Sequence, residues 1–342
     1  IAELIEPYSG IVYDPCCGSG GMFVQSLKFV DAHKGNRLNV SIVGQESKPD
    51  TWRLCKMNLA IRGIAHQLGS VAASTFTNDL HRNKKVDYVM ANPPFNLKDW
   101  RGADELTDDP RFIRAGFSVM PPVANANYAW ILHILSKLDT NHGIAGFLLA
   151  NGALNADDVE YTLRKEILAR DVIEAIIVLP RDMFYTTDIS VTLWILNMNK
   201  KASVVNGRQL RDRTGEILFM DLRRWDKNVE EIVIDKGKKK KKTVLIDEQI
   251  ARVKRIYNAW QSNADYSDVP EFCKSVTLAE IRDKDFSLAP SKYIEFIDHD
   301  LEIDYPAEMK RIQAEMIEIL TEEKISQSEL VDAFGGIGYG IS

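Results

Sequence analysis

The chain has 342 residues, of which 45% are hydrophobic and 27% are charged, a composition typical of a soluble globular protein with one large domain or two. No apolar run approaches the ~20 residues of a membrane span, so no membrane association is expected. The formal net charge is -6, whereas a protein that binds DNA alone is usually basic. If nucleic acid is the substrate, the basic surface must be local or supplied by a partner.

Cysteine usage favours a reducing compartment. Cys16, Cys17, Cys55 and Cys273 form no C-x-x-C pair, and the six histidines form no H-E-x-x-H pattern, so we expect no metal site. Reduced thiols are typical of a cytoplasmic protein, and no secretory signal is visible. Because the chain begins at Ile1 rather than Met, we expect that residues upstream of it have been removed.

Strands and helices alternate through the first 200 residues. Hydrophobic patterns predict strands at 11–13, 40–44, 71–75, 86–91, 143–150, 172–179 and 189–196. They predict helices at 22–33, 49–62, 126–138 and 159–169. Such alternation indicates an α/β fold with a mostly parallel, doubly wound sheet. Residues 96–125 are polar and lack periodicity, so they are expected to form a functional or mobile loop.

The character of the chain changes after residue 200. Residues 201–300 contain short apolar pieces, many turns and a lysine run at 238–242, for which a solvated hairpin tip is favoured over a phosphate contact. Met309, Ile312, Met316 and Ile319 recur at helical spacing, and a capping box at 326–329 predicts a second helix before a flexible glycine-rich tail at 335–340. We therefore expect a catalytic domain at 1–200, an extension of short strands at 201–300, and helices with a tail at 301–342.

A glycine-rich turn directly follows the first predicted strand and opens a helix. Gly18, Gly20 and Gly21 let the backbone approach a ligand closely, with helix N-terminal amides directed at it. Phe23 stands where the dinucleotide pattern G-x-G-x-x-G has its third glycine. A purely structural tight turn would be the preferred interpretation if this turn stood alone.

Acidic residues follow the next two predicted strands. Glu46 comes after the second strand, where a carboxylate can accept hydrogen bonds from both ribose hydroxyls. Asp79 follows the third and could accept from an adenine amino group, although an N-cap or Asx turn is an equally good interpretation. The glycine turn and the two acids occur at successive strand ends, which favours an adenosine-containing cofactor.

The segment Asn92-Pro93-Pro94-Phe95 follows the apolar strand at 86–91, where open α/β sheets bind ligands. The prolines restrict the backbone, so the loop is nearly pre-shaped. The Asn92 amide oxygen and the Pro93 carbonyl could accept both hydrogens of an adenine amine and expose its lone pair to an in-line electrophile. Phe95 could stack on the base, which contributes roughly 1–3 kcal/mol toward extruding it from a duplex.

Several segments resemble one family, the modification subunits of type I restriction–modification systems, within the N-6 adenine DNA methylases. Residues 14–23 resemble the S-adenosylmethionine motif of amino-methylating DNA methyltransferases, and 92–95 resemble their catalytic motif. Residues 179–185 with Thr187 look like a later strand-loop motif, and 285–294 look like a terminal segment of these subunits. On this resemblance the cofactor-binding residues are Asp14, Cys16, Gly18, Ser19, Gly20, Gly21, Met22, Glu46 and Asp79.

The resemblance implies a class I S-adenosylmethionine-dependent methyltransferase with a Rossmann-like, seven-stranded sheet and a C-terminal α/β extension. It implies methyl transfer to N6 of adenine in duplex DNA by a site-specific, adenine-specific enzyme. The implied partners are a specificity subunit that selects the target, a second copy of this subunit, and a restriction subunit. The family also has a helical N-terminal domain and an aromatic cofactor motif upstream of the first strand, and both are absent from this chain.

Three other functions remain open. A methyltransferase of an RNA base or a protein glutamine would share a similar Asn-Pro-Pro-aromatic motif, although the segment 287–294 and the large extension argue against it. A catalytically silent subunit of a DNA-binding complex is compatible with the sequence, but the intact catalytic residues argue against it. A nucleotide-dependent dehydrogenase is disfavoured by the missing third glycine and by the loop at 92–95.

Overall fold

A nine-stranded sheet forms the centre of the computed structural model, which describes residues 1–184, 188–233, 239–262, 265–297, 305–336 and 338–339. The strands in chain order are β1 Gly10–Asp14, β2 Val40–Gly44, β3 His66–Gln67, β4 Tyr88–Ala91, β5 Ile144–Ala150, β6 Ile173–Val178, β7 Val191–Asn197, β8 Ser203–Val205, β9 Arg208–Leu210, β10 Glu216–Asp221, β11 Val229–Val233, β12 Lys239–Thr243 and β13 Cys273–Thr277. The helices are α1 Ala2–Ile5, α2 Gly21–Ala32, α3 Pro49–Ile61, α4 Asn127–Lys137, α5 Asp158–Ala169, α6 Asp247–Ser262, α7 Leu278–Asp283 and α8 Tyr305–Gly336.

The sheet has the order β13-β10-β6-β7-β5-β4-β1-β2-β3. Pairing is parallel from β3 through β5 and between β6 and β10, whereas β7 runs antiparallel to β5 and β6, and β13 runs antiparallel to β10. The chain order reverses at β1, which lies between β2 and β4. Ligands bind at such reversal points, outside the carboxyl ends of the strands.

Helices cover both faces of the sheet. Buried side chains of α4 and α5 pack on one face, and those of α2, α3 and α6 belong to a second hydrophobic cluster. Strands β6 and β7 are buried along their whole length, and apart from Glu174, Thr192 and Asn197 their residues are apolar. The expected α/β class with a large, mostly parallel sheet is confirmed.

The strand predicted at 71–75 is wrong. The third parallel strand is the two-residue β3, His66–Gln67, and residues 71–75 form a loop. Their backbone groups have other partners: Ala73 N donates to Glu46 O at 2.9 Å, and the Gln45 side chain donates to Ala73 O at 3.0 Å. These hydrogen bonds hold residues 71–75 against the end of β2, although the segment does not pair as a strand of the sheet.

The sheet has nine strands rather than the expected seven, because residues beyond 200 extend it. β10 pairs with β6 and buries Leu218, Phe219 and Met220, while β13 closes the edge beside it. The expected boundary between 200 and 201 therefore does not separate two compact units. The chain divides instead into Ile1–Glu295 and Phe296–Ser342.

In the second unit, the described residues form one helix, α8, of 32 residues. The separate helix expected to begin at Ser326 is wrong, since α8 continues through this position to Gly336. Of the expected flexible tail, residues 337 and 340 lie outside the described residues. Tyr185, Thr187 and Lys238, which belong to segments singled out by sequence, also lie outside them. Over the described ranges, we find no helix with the length and apolar character needed to cross a membrane.

Candidate active site

The glycine-rich turn connects β1 to α2 at the chain-order reversal. Asp14 ends β1, and its Oδ1 accepts from Cys16 N at 3.0 Å, which turns the backbone away from the strand. Gly18 and Gly20 have φ of 53° and 83°, in the left-handed region that glycine adopts without strain. A Cβ at Gly20 would lie 3.0 Å from Cys55 Sγ, so this glycine also lets α3 approach.

Glu46 joins this turn to the end of β2. Its Oε2 accepts from Gly18 N at 3.1 Å, and its Oε1 accepts from Lys48 N at 2.9 Å. Cys17 N donates to Gln45 O at 2.9 Å, so the two strand ends are connected through backbone as well. The carboxylate is thus held in one place at the rim of the glycine turn.

The Asn92–Phe95 loop leaves β4 beside this rim. Asn92 and Pro94 are exposed, Pro93 is buried and Phe95 is half-buried. The Phe95 ring meets Phe184 edge to face, with centroids 5.9 Å apart. This contact fixes the ring orientation and leaves the Asn92 amide accessible.

Asn127, at the start of α4, anchors the far end of the loop. Its Oδ1 accepts from Asn96 N at 3.2 Å, and its Nδ2 donates to Asn96 Oδ1 at 2.9 Å. Asn96 has φ of 52°, a conformation that asparagine adopts more readily than most residues. The loop is therefore pinned immediately after its aromatic residue.

A pocket of about 540 Å³ lies between these elements. Six of the predicted site residues line it: Cys16, Glu46, Asn92, Pro93, Pro94 and Phe95. The other members are contributed mainly by the ends of β2, the 71–76 loop and α4: Pro15, Ser47, Lys48, Thr51, Ser74, Thr75, Phe76, Leu97, Trp130 and Phe184. The glycines at 18, 20 and 21 and Ser19 form the adjoining turn, and Asp14 is buried beneath it.

Met22 lies in a different place. It lines a second, apolar cavity together with Met90, Leu148 and Ile177. Phe184 borders both cavities. The structure therefore places Met22 near the predicted site, but not on the polar pocket that contains Asn92 and Glu46.

Asp79 is not part of the pocket, and its expected contact with adenine is not supported. Its Oδ2 accepts from Lys137 Nζ at 2.6 Å, and its Oδ1 accepts from His81 N at 2.9 Å. Both side chains of the ion pair are only 2% exposed. The local Asx-type bond to His81 is the alternative that the sequence left open, and the carboxylate is fully engaged by protein groups.

Another part of the pocket lining comes from a loop whose residues the sequence did not identify as site residues. Ser74, Thr75 and Phe76 precede Asp79 in the same loop. Phe76 packs between Trp130 and Trp100, with ring centroids at 4.2 and 4.6 Å. Because the sequence predicted a strand at 71–75, these loop residues were not expected to line a pocket. Trp130 was not expected there either, because an aromatic residue in a helical pattern cannot be distinguished by sequence from a core residue.

Burial raises the pKa values of Asp14 and Cys16 at the start of the glycine-rich turn. Desolvation raises the pKa of the Asp14 carboxyl to about 7, although a hydrogen bond from Cys16 opposes the rise. Desolvation, followed by the nearby Asp14 charge, raises the pKa of the Cys16 thiol well above its usual value. Cys16 is therefore a protonated thiol at neutral pH, which does not favour a nucleophilic role.

The pocket has features that suit a polar ligand with a planar ring. Trp130 lines the pocket, and its buried Nε1 has no hydrogen-bond partner among the described residues. Nowhere in the described part of the chain do three or more histidine, cysteine, aspartate or glutamate side chains gather as a metal site would need. The residues present offer carboxylate, amide, hydroxyl and aromatic groups.

Comparison with known proteins identifies similar chains. The family model described as N-6 DNA Methylase matches residues 1–301. The HindI methylase subunit of a type I restriction enzyme from Haemophilus influenzae is 39% identical over 99% of this chain and 71% of its own length. The MjaIX methylase subunit from Methanocaldococcus jannaschii is 31% identical over 99% of this chain, which spans 58% of that relative.

Solved structures share the fold. The methyltransferase subunit of a type I restriction–modification system from Streptococcus thermophilus has a TM-score of 0.66 at 24% identity, covering 83% of this chain and 54% of its own. The M protein of the type I restriction enzyme EcoKI has a TM-score of 0.60 at 18% identity, covering 96% and 71%. The chain thus spans between about half and 71% of the length of these proteins.

Proposed function

The chain belongs to the N-6 DNA methylase family, among relatives that are methylase subunits of type I restriction enzymes, and we propose that it methylates N6 of adenine in duplex DNA. The observation that carries this proposal is the shared pocket of Asn92, Pro93, Phe95 and Glu46. An exposed amide and a carbonyl stand at one side, and a fixed carboxylate stands at the other. We propose that the amide and carbonyl bind an amine and that the carboxylate binds a nucleoside, so that both ligands lie in one cavity.

Asn92 and Pro93 would bind the amine of an extruded adenine. The amine lone pair is delocalised into the ring, so it is a poor nucleophile. Two acceptors, the Asn92 side-chain oxygen and the Pro93 carbonyl, would draw both hydrogens out of the ring plane and localise the lone pair. Because these contacts strengthen as the amine becomes tetrahedral, they stabilise the transition state more than the ground state.

Phe95 would stack on the extruded base. Its edge-to-face contact with Phe184 fixes the ring before the base arrives, so little conformational entropy is lost on binding. The stacking is worth roughly 1–3 kcal/mol, comparable with the few kcal/mol needed to unstack a base.

S-adenosylmethionine is the proposed methyl donor, and it supplies an electrophilic methyl group. Glu46 would accept from its ribose hydroxyls, and the turn at Gly18 and Gly20 would admit the rest of the molecule close to the backbone. These features suit an adenosine.

We infer the partners from the net charge of the chain and from the systems to which its relatives belong. The net charge of -6 gives this chain no overall electrostatic attraction to DNA, so we propose that a specificity subunit supplies target recognition. A second copy of this subunit and a restriction subunit complete the proposed assembly, whose site of action is cytoplasmic DNA.

The experiment that tests this function measures methyl transfer from labelled S-adenosylmethionine. The complete subunit, assembled with its specificity subunit, is given duplex DNA, RNA or a glutamine peptide. We expect transfer to DNA only, at adenine N6, and a loss of about 100-fold or more in kcat for Asn92→Ala. Cofactor affinity should stay within about twofold of the wild type, since Asn92 acts on the amine.

Asn83→Ala is the matched control, because Asn83 is exposed and does not line the pocket. Its kcat should equal that of the wild type. Unchanged transfer by Asn92→Ala, or transfer to RNA or peptide in place of DNA, would overturn the proposed function.

A further inference from the structure

Arg111 is a buried arginine in the segment 96–125, which follows the Asn92–Phe95 loop, and it contacts the wall of the pocket from behind. Its Nη1 donates to Thr75 O at 2.7 Å, and its Nη2 donates to Phe76 O. Thr75 and Phe76 both line the pocket. The side chain is 6% exposed, so these bonds are shielded from water.

Asp109 holds the guanidinium in place. Its Oδ1 accepts from Arg111 Nε at 2.7 Å, and its Oδ2 accepts from Arg111 Nη2 at 2.7 Å. The Asp109 side chain is 7% exposed, and Oδ1 also accepts from Arg111 N at 2.9 Å. A planar, bidentate pair of this kind fixes orientation as well as charge.

His133, on α4, completes the environment of the guanidinium. Its Nδ1 lies 3.1 Å from Arg111 Nη1, and its Nε2 lies 3.1 Å from Tyr13 Oη on β1. Desolvation, followed by the Arg111 charge, holds the pKa of His133 well below its usual value. The neutral ring therefore accepts from Arg111 at Nδ1 and donates to Tyr13 through Nε2.

We propose that Arg111 is a positioning residue for cofactor binding: it fixes the Thr75–Phe76 wall of the pocket from the segment that follows the catalytic loop. This inference rests on the proposed function. With both carbonyls held from behind, the backbone of Thr75 and Phe76 keeps its place at the pocket, and the Thr75 hydroxyl donates to Pro15 O in the glycine-rich turn. Phe76 is also packed by Trp100, another residue of the same segment, so this wall depends on the segment at two points.

Lysine cannot replace Arg111 in this role. The guanidinium has five N–H donors in a planar fork, and here they reach a carboxylate, two carbonyls and an imidazole. An ammonium has three donors at one point and cannot span these acceptors. Arg111→Lys therefore keeps the charge beside Asp109 but releases part of the wall.

The test measures the dissociation constant of S-adenosylhomocysteine by calorimetry, without DNA, for the complete subunit with its specificity subunit. We expect Arg111→Lys to raise this constant about tenfold or more. At saturating S-adenosylmethionine, kcat should fall less than about threefold, and the KM for DNA should not change. If Arg111 had only a structural role, Arg111→Lys would lower the fraction of active protein. It would not weaken cofactor affinity more strongly than it lowers kcat.

Two further variants complete the design. Asp109→Asn keeps the arginine but weakens the ion pair that orients it. It should raise the dissociation constant of S-adenosylhomocysteine by a smaller factor than Arg111→Lys does. If Arg111→Lys does not fold, Asp109→Asn tests the positioning role instead. Arg114→Lys, in the same segment but exposed, should bind like the wild type.

The outcomes separate this inference from the proposed function. Wild-type protein that does not bind S-adenosylhomocysteine contradicts the proposed function. Wild-type protein that binds it, together with unchanged affinity in folded Arg111→Lys and Asp109→Asn, overturns the positioning role alone.

Discussion

The carboxylates of Glu46 and Asp79 have different partners, and neutralising them should have different consequences. Glu46 accepts from backbone amides at the rim of the pocket. Asp79 is paired with Lys137 inside the protein. Desolvation lowers the pKa of Lys137, and the hydrogen bond and charge of Asp79 oppose this, so the ammonium depends on its partner. Glu46 thus borders the pocket, whereas Asp79 forms a buried ion pair within the fold.

We therefore expect Glu46→Gln and Asp79→Asn to separate binding from stability. Glu46→Gln should weaken S-adenosylhomocysteine binding about tenfold or more, because hydrogen bonds to a charged group contribute about 1.5–3 kcal/mol. Asp79→Asn should lower the free energy of unfolding by about 3–5 kcal/mol, since it leaves a buried ammonium unpaired. Calorimetry and urea denaturation measure the two effects. Weakened binding with unchanged stability in Asp79→Asn would restore the adenine contact inferred from sequence.

At the scale of elements, the segment 96–125 is hydrogen-bonded to the start of α4 at the end nearest the Asn92–Phe95 loop. Asn127 exchanges two hydrogen bonds with Asn96, and Ala126 N donates to Leu97 O at 2.9 Å. Within the segment, Trp100 Nε1 donates to Pro122 O at 2.8 Å. The segment predicted to be a functional or mobile loop is therefore ordered by specific bonds, although it contains only one short 3-10 turn, Ile113–Ala115.

Asn127→Ala should displace the Asn92–Phe95 loop without disturbing the Glu46 side of the pocket. We expect kcat to fall about tenfold or more, because small displacements of reacting groups are costly, while affinity for S-adenosylhomocysteine stays near that of the wild type. Steady-state kinetics and calorimetry give the two values. Ser136→Ala, in the same helix and away from the loop, is the control. Equal kcat in Asn127→Ala and wild type would show that the loop keeps its shape without this anchor.

At the scale of the whole molecule, the central sheet continues past the seven strands expected of the methyltransferase fold. β10 covers the otherwise open edge of β6, and α6 packs its Tyr257 and Trp260 into the hydrophobic cluster that contains Leu218 and Met220. The unit Ile1–Glu295 consequently has two hydrophobic clusters of its own, and β10 contributes buried residues to both.

Truncation at two positions tests this organisation. A chain ending at Glu295 should keep its thermal midpoint within about 3 °C and still bind S-adenosylhomocysteine. A chain ending at Lys200 should fail to fold cooperatively, because the buried edge of β6 and its apolar neighbours would be exposed. Differential scanning calorimetry distinguishes these results. A cooperative transition in the shorter chain would contradict the single unit seen here.

Several features were accessible from sequence because neighbouring residues determine them. The alternation of apolar strands and amphipathic helices follows from side-chain periodicity, and the predicted elements at 40–44, 49–62 and 143–150 agree with β2, α3 and β5 within one residue. The Asn92–Phe95 loop was evident because two prolines after an apolar strand constrain the backbone locally. The charge and composition further limited the class of protein.

Other features depended on contacts between residues distant in the chain. Whether Asp79 faces a ligand or a lysine was decided by Lys137, 58 residues later. Residues 71–75 have the composition of a strand, but Gln45 and Arg111 satisfy backbone groups there. β10 joins the sheet only because β6 leaves an edge for it. The sequence by itself determined most elements of the first 200 residues and the Asn92–Phe95 loop, since their conformation is set within a few residues. Only the tertiary structure decided which polar groups already have partners within the protein, because those partners lie far away in the chain.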